Sequence, residues 1–152
     1  VNTNALRLVK SLGIEVRTLA YEVDESDLSA GAVAAKLGLD PDRVFKTLVL
    51  TGSCPFMCVI PGSAELDLKK AARANGDKSA AMLPLRELEP LTGYVRGGCS
   101  PVGSRKPMPV YVDETAQLFD TVSVSAGARG LQMILAPADL LRAAGASYAD
   151  LV

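Results

Sequence analysis

The sequence predicts an α+β fold: short helices scattered among many short strands, on a mixed or antiparallel sheet. Three observations carry this reading. Apolar residues recur at helical spacing in short stretches bounded by capping residues and glycines, as in Thr3 to Gly13 and Pro137 to Gly145. Two β-branched and aromatic runs, Val44 to Thr51 and Phe56 to Ile60, flank the turn-forming Gly52-Ser53-Cys54-Pro55. Helices and strands interleave without the regular alternation of a doubly wound sheet. At 152 residues, with 49% hydrophobic side chains, the chain is expected to form one domain, residues 1–152, with a real core.

The elements follow in order. Thr3 caps a helix over Asn4 to Leu12, whose Ala5, Leu6, Leu8, Val9 and Leu12 form one stripe, and Gly13 ends it. Glu15 to Tyr21 reads as a strand. Glu22, Asp24, Glu25 and Asp27 form an acidic turn without the glycine and final glutamate of a calcium loop, so a solvated connection is expected. Ser29 caps a helix ending at Gly38, and Asp40-Pro41 starts a short turn. The two apolar runs should pair as a hairpin. Asp67 caps a helix from Leu68 to Asn75 whose Lys69, Lys70 and Arg73 make a solvated face. Pro84 opens another helix through Leu91, closed at Thr92-Gly93, and Tyr94 to Arg96 reads as a strand. Pro109 to Asp113, Thr121 to Ser125 and Leu131 to Leu135 are further strands, and Pro137 to Ala144 is the last helix.

Between these elements lies the stretch with the most chemistry, Gly97-Gly98-Cys99-Ser100-Pro101-Val102-Gly103. It cannot continue a regular element, and its free backbone N–H groups suit phosphate or carboxylate oxygens. No acidic side chain occurs from Pro90 to Val112, where Arg96, Arg105 and Lys106 make the local field positive. A second small-residue loop, Ser125 to Gly130, is also free of acids. Lys46 shares a strand face with Val44, Leu48 and Leu50. A buried, unpaired ammonium is costly, so its head must snorkel to solvent, meet a carboxylate, or point into a cleft that receives an anion.

Composition excludes much. The absence of histidine removes Ser-His-Asp and Cys-His systems and the usual zinc hydrolase sites. Net charge of −1 argues against a DNA-coating protein and leaves room for a local footprint on nucleic acid. The three cysteines are odd in number, and Cys54 and Cys58 lie too far apart on an extended run for a disulfide. Without a long apolar run or a signal-peptide pattern at the first residues, the chain is expected to be soluble and cytoplasmic. Gly98-x-x-x-x-Gly103 fails as a phosphate-binding P-loop, because Ser104-Arg105 stand where Lys-Ser/Thr is required. Cys99 has no histidine to activate it, and Ser100 and Ser125 have no visible base except Lys46.

Val44-Phe45-Lys46-Thr47-Leu48, Gly97 to Gly103, and Val124-Ser125-Ala126-Gly127-Ala128-Arg129-Gly130-Leu131, in this order, resemble the YbaK family of aminoacyl-tRNA deacylases. The resemblance spans essentially the whole chain. It implies a curved mixed, mostly antiparallel sheet or barrel flanked by helices, like the editing domain of bacterial prolyl-tRNA synthetase. The implied site is a cleft between Lys46 and the two loops. Lys46 would engage the terminal adenosine or its phosphate. Gly97, Gly98, Ser100 and Pro101 would cradle the terminal ribose and ester, and Gly103 would leave room for them. Tyr21, Ser125, Gly127 and Gln132 match positions that line the pocket. Gln132 departs from relatives with a carboxylate there, and Arg129 either contacts tRNA or braces its loop.

The implied activity is removal of cysteine from Cys-tRNA(Pro) and Cys-tRNA(Cys). In this branch the substrate's own thiol attacks the ester and releases a thiolactone, with no protein nucleophile, metal or cofactor. The implied partners are the acceptor 3′ end of an aminoacyl-tRNA and, transiently, prolyl-tRNA synthetase, with no DNA and no membrane. A sibling activity on Ala-tRNA(Pro), and a non-catalytic module binding a nucleotide or small carboxylate, are the alternatives.

Overall fold

The computed structural model describes residues 2–152. Two sheets form the frame. The first, in the order β1-β7-β6, is antiparallel and built from Arg17–Ala20 (β1), Val122–Ala128 (β6) and Leu131–Leu135 (β7). The second runs β4-β2-β3-β5-β8, with Phe45–Thr51 (β2), Pro55–Pro61 (β3), Ala81–Met82 (β4), Val110–Asp113 (β5) and Ser147–Ala149 (β8). β2 is antiparallel to both β3 and β4, whereas β3–β5 and β5–β8 are parallel. The mixed sheet expected from sequence is thus divided in two. One parallel bridge, Val44 to Ser123, joins the parts beside the start of β2.

The expected hairpin forms in the register Phe45–Pro61 through Thr51–Pro55. The capping residues do what their chemistry dictates. Thr3 Oγ1 accepts from Leu6 N–H at 3.1 Å ahead of α1 (Asn4–Ser11), and Ser29 Oγ accepts from Ala32 N–H at 3.2 Å ahead of α2 (Ala30–Leu37). Asp67 accepts from the N–H groups of Lys69 and Lys70 ahead of α3 (Leu68–Ala74). α4 (Leu88–Thr92) follows a 3-10 turn over Leu85–Glu87, and α5 (Pro137–Ala144) is the last helix.

The main core lies between the sheets, where Phe45, Val49, Met57 and Val59 meet Val122, Val124, Ala126 and Met133, with Leu6 and Val9 of α1 and Leu140 of α5 closing it. A second cluster, Leu50, Phe56, Cys58, Ile60, Ala71 and Leu151, packs under α3 on the other face of β2 and β3. A third, Val33, Ala34 and Val44, holds α2. Lys46 therefore sits on β2 between the second and third clusters, where the apolar row is interrupted.

Two expectations are corrected. Tyr94 to Arg96 is not a strand: Thr92 Oγ1 accepts the Tyr94 N–H at 3.0 Å, and the Tyr94 hydroxyl donates to the Val102 carbonyl at 2.7 Å. These local bonds take the place of a ladder and wrap the glycine-rich stretch around a buried tyrosine ring. The second small-residue loop is mostly strand, since β6 continues to Ala128 through a bulge between Ser125 and Ala128.

Candidate active site

β2 has an incomplete edge. β4 pairs with it only at Leu50 and Thr51, the Leu83 N–H reaches the Val49 carbonyl at 2.9 Å, and the bridge to Ser123 begins at Val44. Between Val44 and Val49 no strand covers that edge among the described residues. A cleft of about 570 Å³ opens there and wraps the edge. Val44 to Val49 form its centre, the Arg96, Gly97 and Cys99 segment one wall, and Ser125 and Gln132 another. Ser26 to Ala30 with Val33, and the apolar group Met82, Leu83, Leu85 and Leu88, complete the rim.

The half-buried Lys46 lines this cleft. Among the described residues the ion pairs are Lys70–Asp150 at 3.1 Å and Arg129–Glu25 at 3.8 Å, so the carboxylate partner considered for Lys46 is not there. A cation without an internal counter-ion, beside exposed Arg96, gives the cleft a positive side suited to an anionic ligand. Asp27 is the one carboxylate among the cleft residues. Its carboxyl is held below the usual range by hydrogen bonds from Ser29.

The glycine-rich segment divides. Gly97, at φ +83°, turns the chain so that it and Cys99 line the cleft. Ser100 and Pro101 point inward and are buried. Ser100 Oγ accepts the Val102 N–H at 3.2 Å, which stiffens the turn. Gly98 is set by close packing: a Cβ there would stand 2.8 Å from the Arg129 nitrogen and 2.9 Å from the Ala128 carbonyl carbon. Gly103 packs on Asn4, Ala5 and Tyr94, and Gly127 on Tyr94 and Thr3, so neither lines the cleft. Burial pushes the Cys99 thiol up to about 12, which keeps it neutral and poorly nucleophilic.

Ser125 and Gln132 face each other across β6 and β7. The Ser123 hydroxyl donates to Gln132 Oε1 at 2.8 Å, and the Gly127 N–H donates to Ser125 Oγ at 3.2 Å. Arg129 braces its loop: its Nε–H donates to the Arg96 carbonyl at 2.8 Å, tying the β6–β7 turn to the cleft wall. Tyr21 lies outside the cleft, packed against the Val33, Ala34 and Val44 cluster with the Lys36 Nζ 6.0 Å from its ring centre. The structure thus brings together Lys46, Gly97, Ser125 and Gln132, and sets Tyr21, Gly98, Ser100, Pro101, Gly103 and Gly127 around them.

Sequence reasoning missed the apolar rim and Leu28. Leu28 stands in loop sequence and Leu85 at the start of a predicted helix, where an apolar residue reads as ordinary core; that Leu85 is 60% exposed is visible only in the structure. Among the described residues no cluster of His, Cys, Asp or Glu is placed to hold a metal ion, and no helix is long and apolar enough to cross a membrane.

Comparison with known proteins agrees with this geometry. A protein of Enterococcus faecalis named "Putative Cys-tRNA(Pro)/Cys-tRNA(Cys) deacylase EbsC" is 45% identical over 151 residues, which is 98% of this chain and 92% of that one. A crystal structure described as "a putative trans-editing enzyme for prolyl tRNA synthetase" superposes with a TM-score of 0.82 at 28% identity, covering 99% of this chain and 98% of that one. The hypothetical protein APE2540 superposes with a TM-score of 0.88 at 25% identity, over 98% and 99% of the two chains. Residues 25–143, which include the uncovered edge of β2, the glycine-rich segment and the bulged β6, match the aminoacyl-tRNA editing domain, and the chain belongs to that family.

Proposed function

We propose that this protein is a trans-editing aminoacyl-tRNA deacylase that clears cysteine from Cys-tRNA(Pro) and Cys-tRNA(Cys). The observation that carries the reading is the cleft at the uncovered edge of β2, which is lined both by Lys46, a cation with no internal counter-ion, and by the Gly97 and Cys99 backbone. Lys46 engages the phosphate or terminal adenosine of the acceptor 3′ end. The Gly97–Cys99 segment holds the ribose and ester, with amides that can stabilise charge developing on the carbonyl oxygen. Ser125 and Gln132 border the aminoacyl group.

No protein nucleophile is needed. The substrate thiol attacks its own ester carbonyl, the C–O bond to the ribose breaks, and tRNA leaves with a thiolactone as the other product. The enzyme contributes orientation and electrostatics. The high proton affinity of Cys99 supports this over attack by a protein thiol. The protein acts in the cytoplasm as one editing domain, and forms a transient complex with prolyl-tRNA synthetase that narrows its choice of tRNA.

The test is release of labelled cysteine from Cys-tRNA(Pro) and Cys-tRNA(Cys), with Ala-tRNA(Pro) in parallel and Lys46→Ala as control. Rapid loss of cysteine, reduced about 10²–10³-fold or more by Lys46→Ala, is the expected result. Preferential loss of alanine assigns the sibling activity, and loss of neither amino acid refutes the deacylase. Added prolyl-tRNA synthetase should raise selectivity for Cys-tRNA(Pro); no change refutes that partner.

A further inference from the structure

The mouth of the cleft is unevenly charged. Residues 84–112, which supply the Arg96 and Gly97 wall and part of the apolar rim, carry Arg86, Arg96, Arg105 and Lys106 against Glu87 and Glu89. Residues 22–29 carry Glu22, Asp24, Glu25 and Asp27 and no base. This acidic turn flanks the wall on one side: a Cβ on Gly97 would stand 3.2 Å from Leu28 Cδ1, and Glu25 reaches Arg129 at 3.8 Å. With a net charge of only −1, each excess is local and gives its flank a field of its own sign.

On the basic side the cations lead away from the cleft through traceable contacts. Arg96 is exposed and lines the cleft. The Arg105 side chain lies over Gly93, where a Cβ would stand 3.7 Å from its Nε and 3.8 Å from its Nη2. Gly93 is three residues from Arg96, at most about 10 Å along the chain, so the two arginines are neighbours. The Arg105 N–H donates to the Thr92 carbonyl at 2.9 Å and the Lys106 N–H to the Leu91 carbonyl at 3.2 Å, which fixes both beside α4, whose Leu88 is in the rim. Among the described residues no ion pair engages Arg96, Arg105 or Lys106. Exposed cations without counter-ions, continuous with a cleft that receives an anion, are the footprint by which proteins track a single-stranded backbone. We propose that the single-stranded acceptor end of the tRNA leaves the cleft over Arg96 and then Arg105 and Lys106, which bind the phosphates preceding the terminal nucleotide, while the acidic turn bars the other flank.

This rests on the deacylase reading and deepens it, since it adds a path for the strand outside the cleft. Phosphate contacts of this kind fix the register of a nucleic acid without reading its sequence. Their loss therefore weakens capture of the long substrate and leaves the chemistry at the ester alone.

The experiment measures cysteine release, with no synthetase present, from cysteinyl-tRNA(Pro) and from adenosine 5′-monophosphate carrying cysteine on its ribose, which keeps the terminal nucleotide and lacks the strand before it. The double variant Arg105→Gln/Lys106→Gln should lower kcat/KM on the tRNA roughly five- to twenty-fold and make its logarithmic salt dependence shallower by about 1–2. The loss should be confined to the tRNA, and because both side chains are exposed the Tm should stay within about 2 °C of the parent's. Lys69→Gln/Arg73→Gln removes the same charge from the exposed side of α3, none of which lines the cleft, and should leave both substrates unaffected. Equal losses on the two substrates, an equal loss from the α3 variant, or undiminished activity of Arg105→Gln/Lys106→Gln on the tRNA overturns the proposal and leaves the deacylase standing. A parent protein that releases no cysteine from either substrate overturns both.

Discussion

Replacing Gly98 by alanine should separate the two walls of the cleft. The new methyl would lie 2.8 Å from the Arg129 nitrogen, 2.9 Å from the Ala128 carbonyl carbon and 3.1 Å from the Ala128 Cα. All three are backbone atoms, so no side chain can swing aside, and ordinary contact requires the loops to part by about 0.6 Å. Overpacking of this kind costs about 1–3 kcal/mol. In a protein of this size each kcal/mol lowers Tm by about 2–4 °C. Gly98 lies between cleft-lining Gly97 and Cys99, and Arg129 leads from Ser125 into the turn, so the same displacement misplaces the ester relative to its binding groups. A loss of about ten- to a hundred-fold in kcat/KM follows. Gly31→Ala is the matched control, because a Cβ there meets nothing nearer than Ser29 Oγ at 4.0 Å in the first turn of α2, and it should stabilise by about 0.4–1 kcal/mol. Thermal unfolding and cysteine release, measured on both variants, decide the matter. Gly98→Ala with the parent's Tm and activity would show that the two loops are not held together as described.

Cys99→Ala should keep most of the deacylase activity, whereas near-total loss in a folded variant would reinstate a protein-thiol mechanism. Iodoacetamide should label exposed Cys54 well before Cys58 and Cys99, read by mass spectrometry; burial pushes both of the latter thiols up to about 12. Stability should fall as pH rises through 9 to 12. Cys58 and Cys99 rise from 9.0, and Tyr94 from 10.0, each to about 12 and chiefly by burial, so the unfolded chain releases these protons first. Their contribution is complete below about pH 9 and is lost toward 12, as urea midpoints across that range will report; Tyr94→Phe should shrink the slope while costing about 1–3 kcal/mol through the orphaned Val102 carbonyl.

What the sequence disclosed follows the range of its physics. Caps are local, and Thr3, Ser29, Asp40 and Asp67 each accept the expected backbone N–H. The β2–β3 hairpin is nearly local and formed in a register set by its short turn. β4 and β8, of two and three residues, carry little strand signal of their own and exist because β2 and β5 offer them an edge. Tyr94 to Arg96 has strand composition but no strand beside it, and Tyr94 is turned inward to the Val102 carbonyl instead. In the site, the oddity of a lysine in an apolar strand was visible, and its lack of an ion pair was not. The glycines of the two loops marked the right neighbourhood, although several serve loop-on-loop contact: a Cβ on Gly98, Gly103 or Gly127 would strike protein atoms.

The bridge at Val44 and Ser123 makes the cleft a gauge between two bodies. Lys46 rides on the five-stranded sheet, Ser125 and Gln132 on the three-stranded one, and one bridge together with the shared core sets the gap. Which amino acid fits is then a matter of the thickness of the hydrophobic layer between the sheets as well as of the residues that touch it. A methylene gained or lost at Val124 or Met133, which point into the core and not into the cleft, shifts the jaws of the gauge. Selectivity in such a scaffold can drift through its interior while every contacting side chain stays the same.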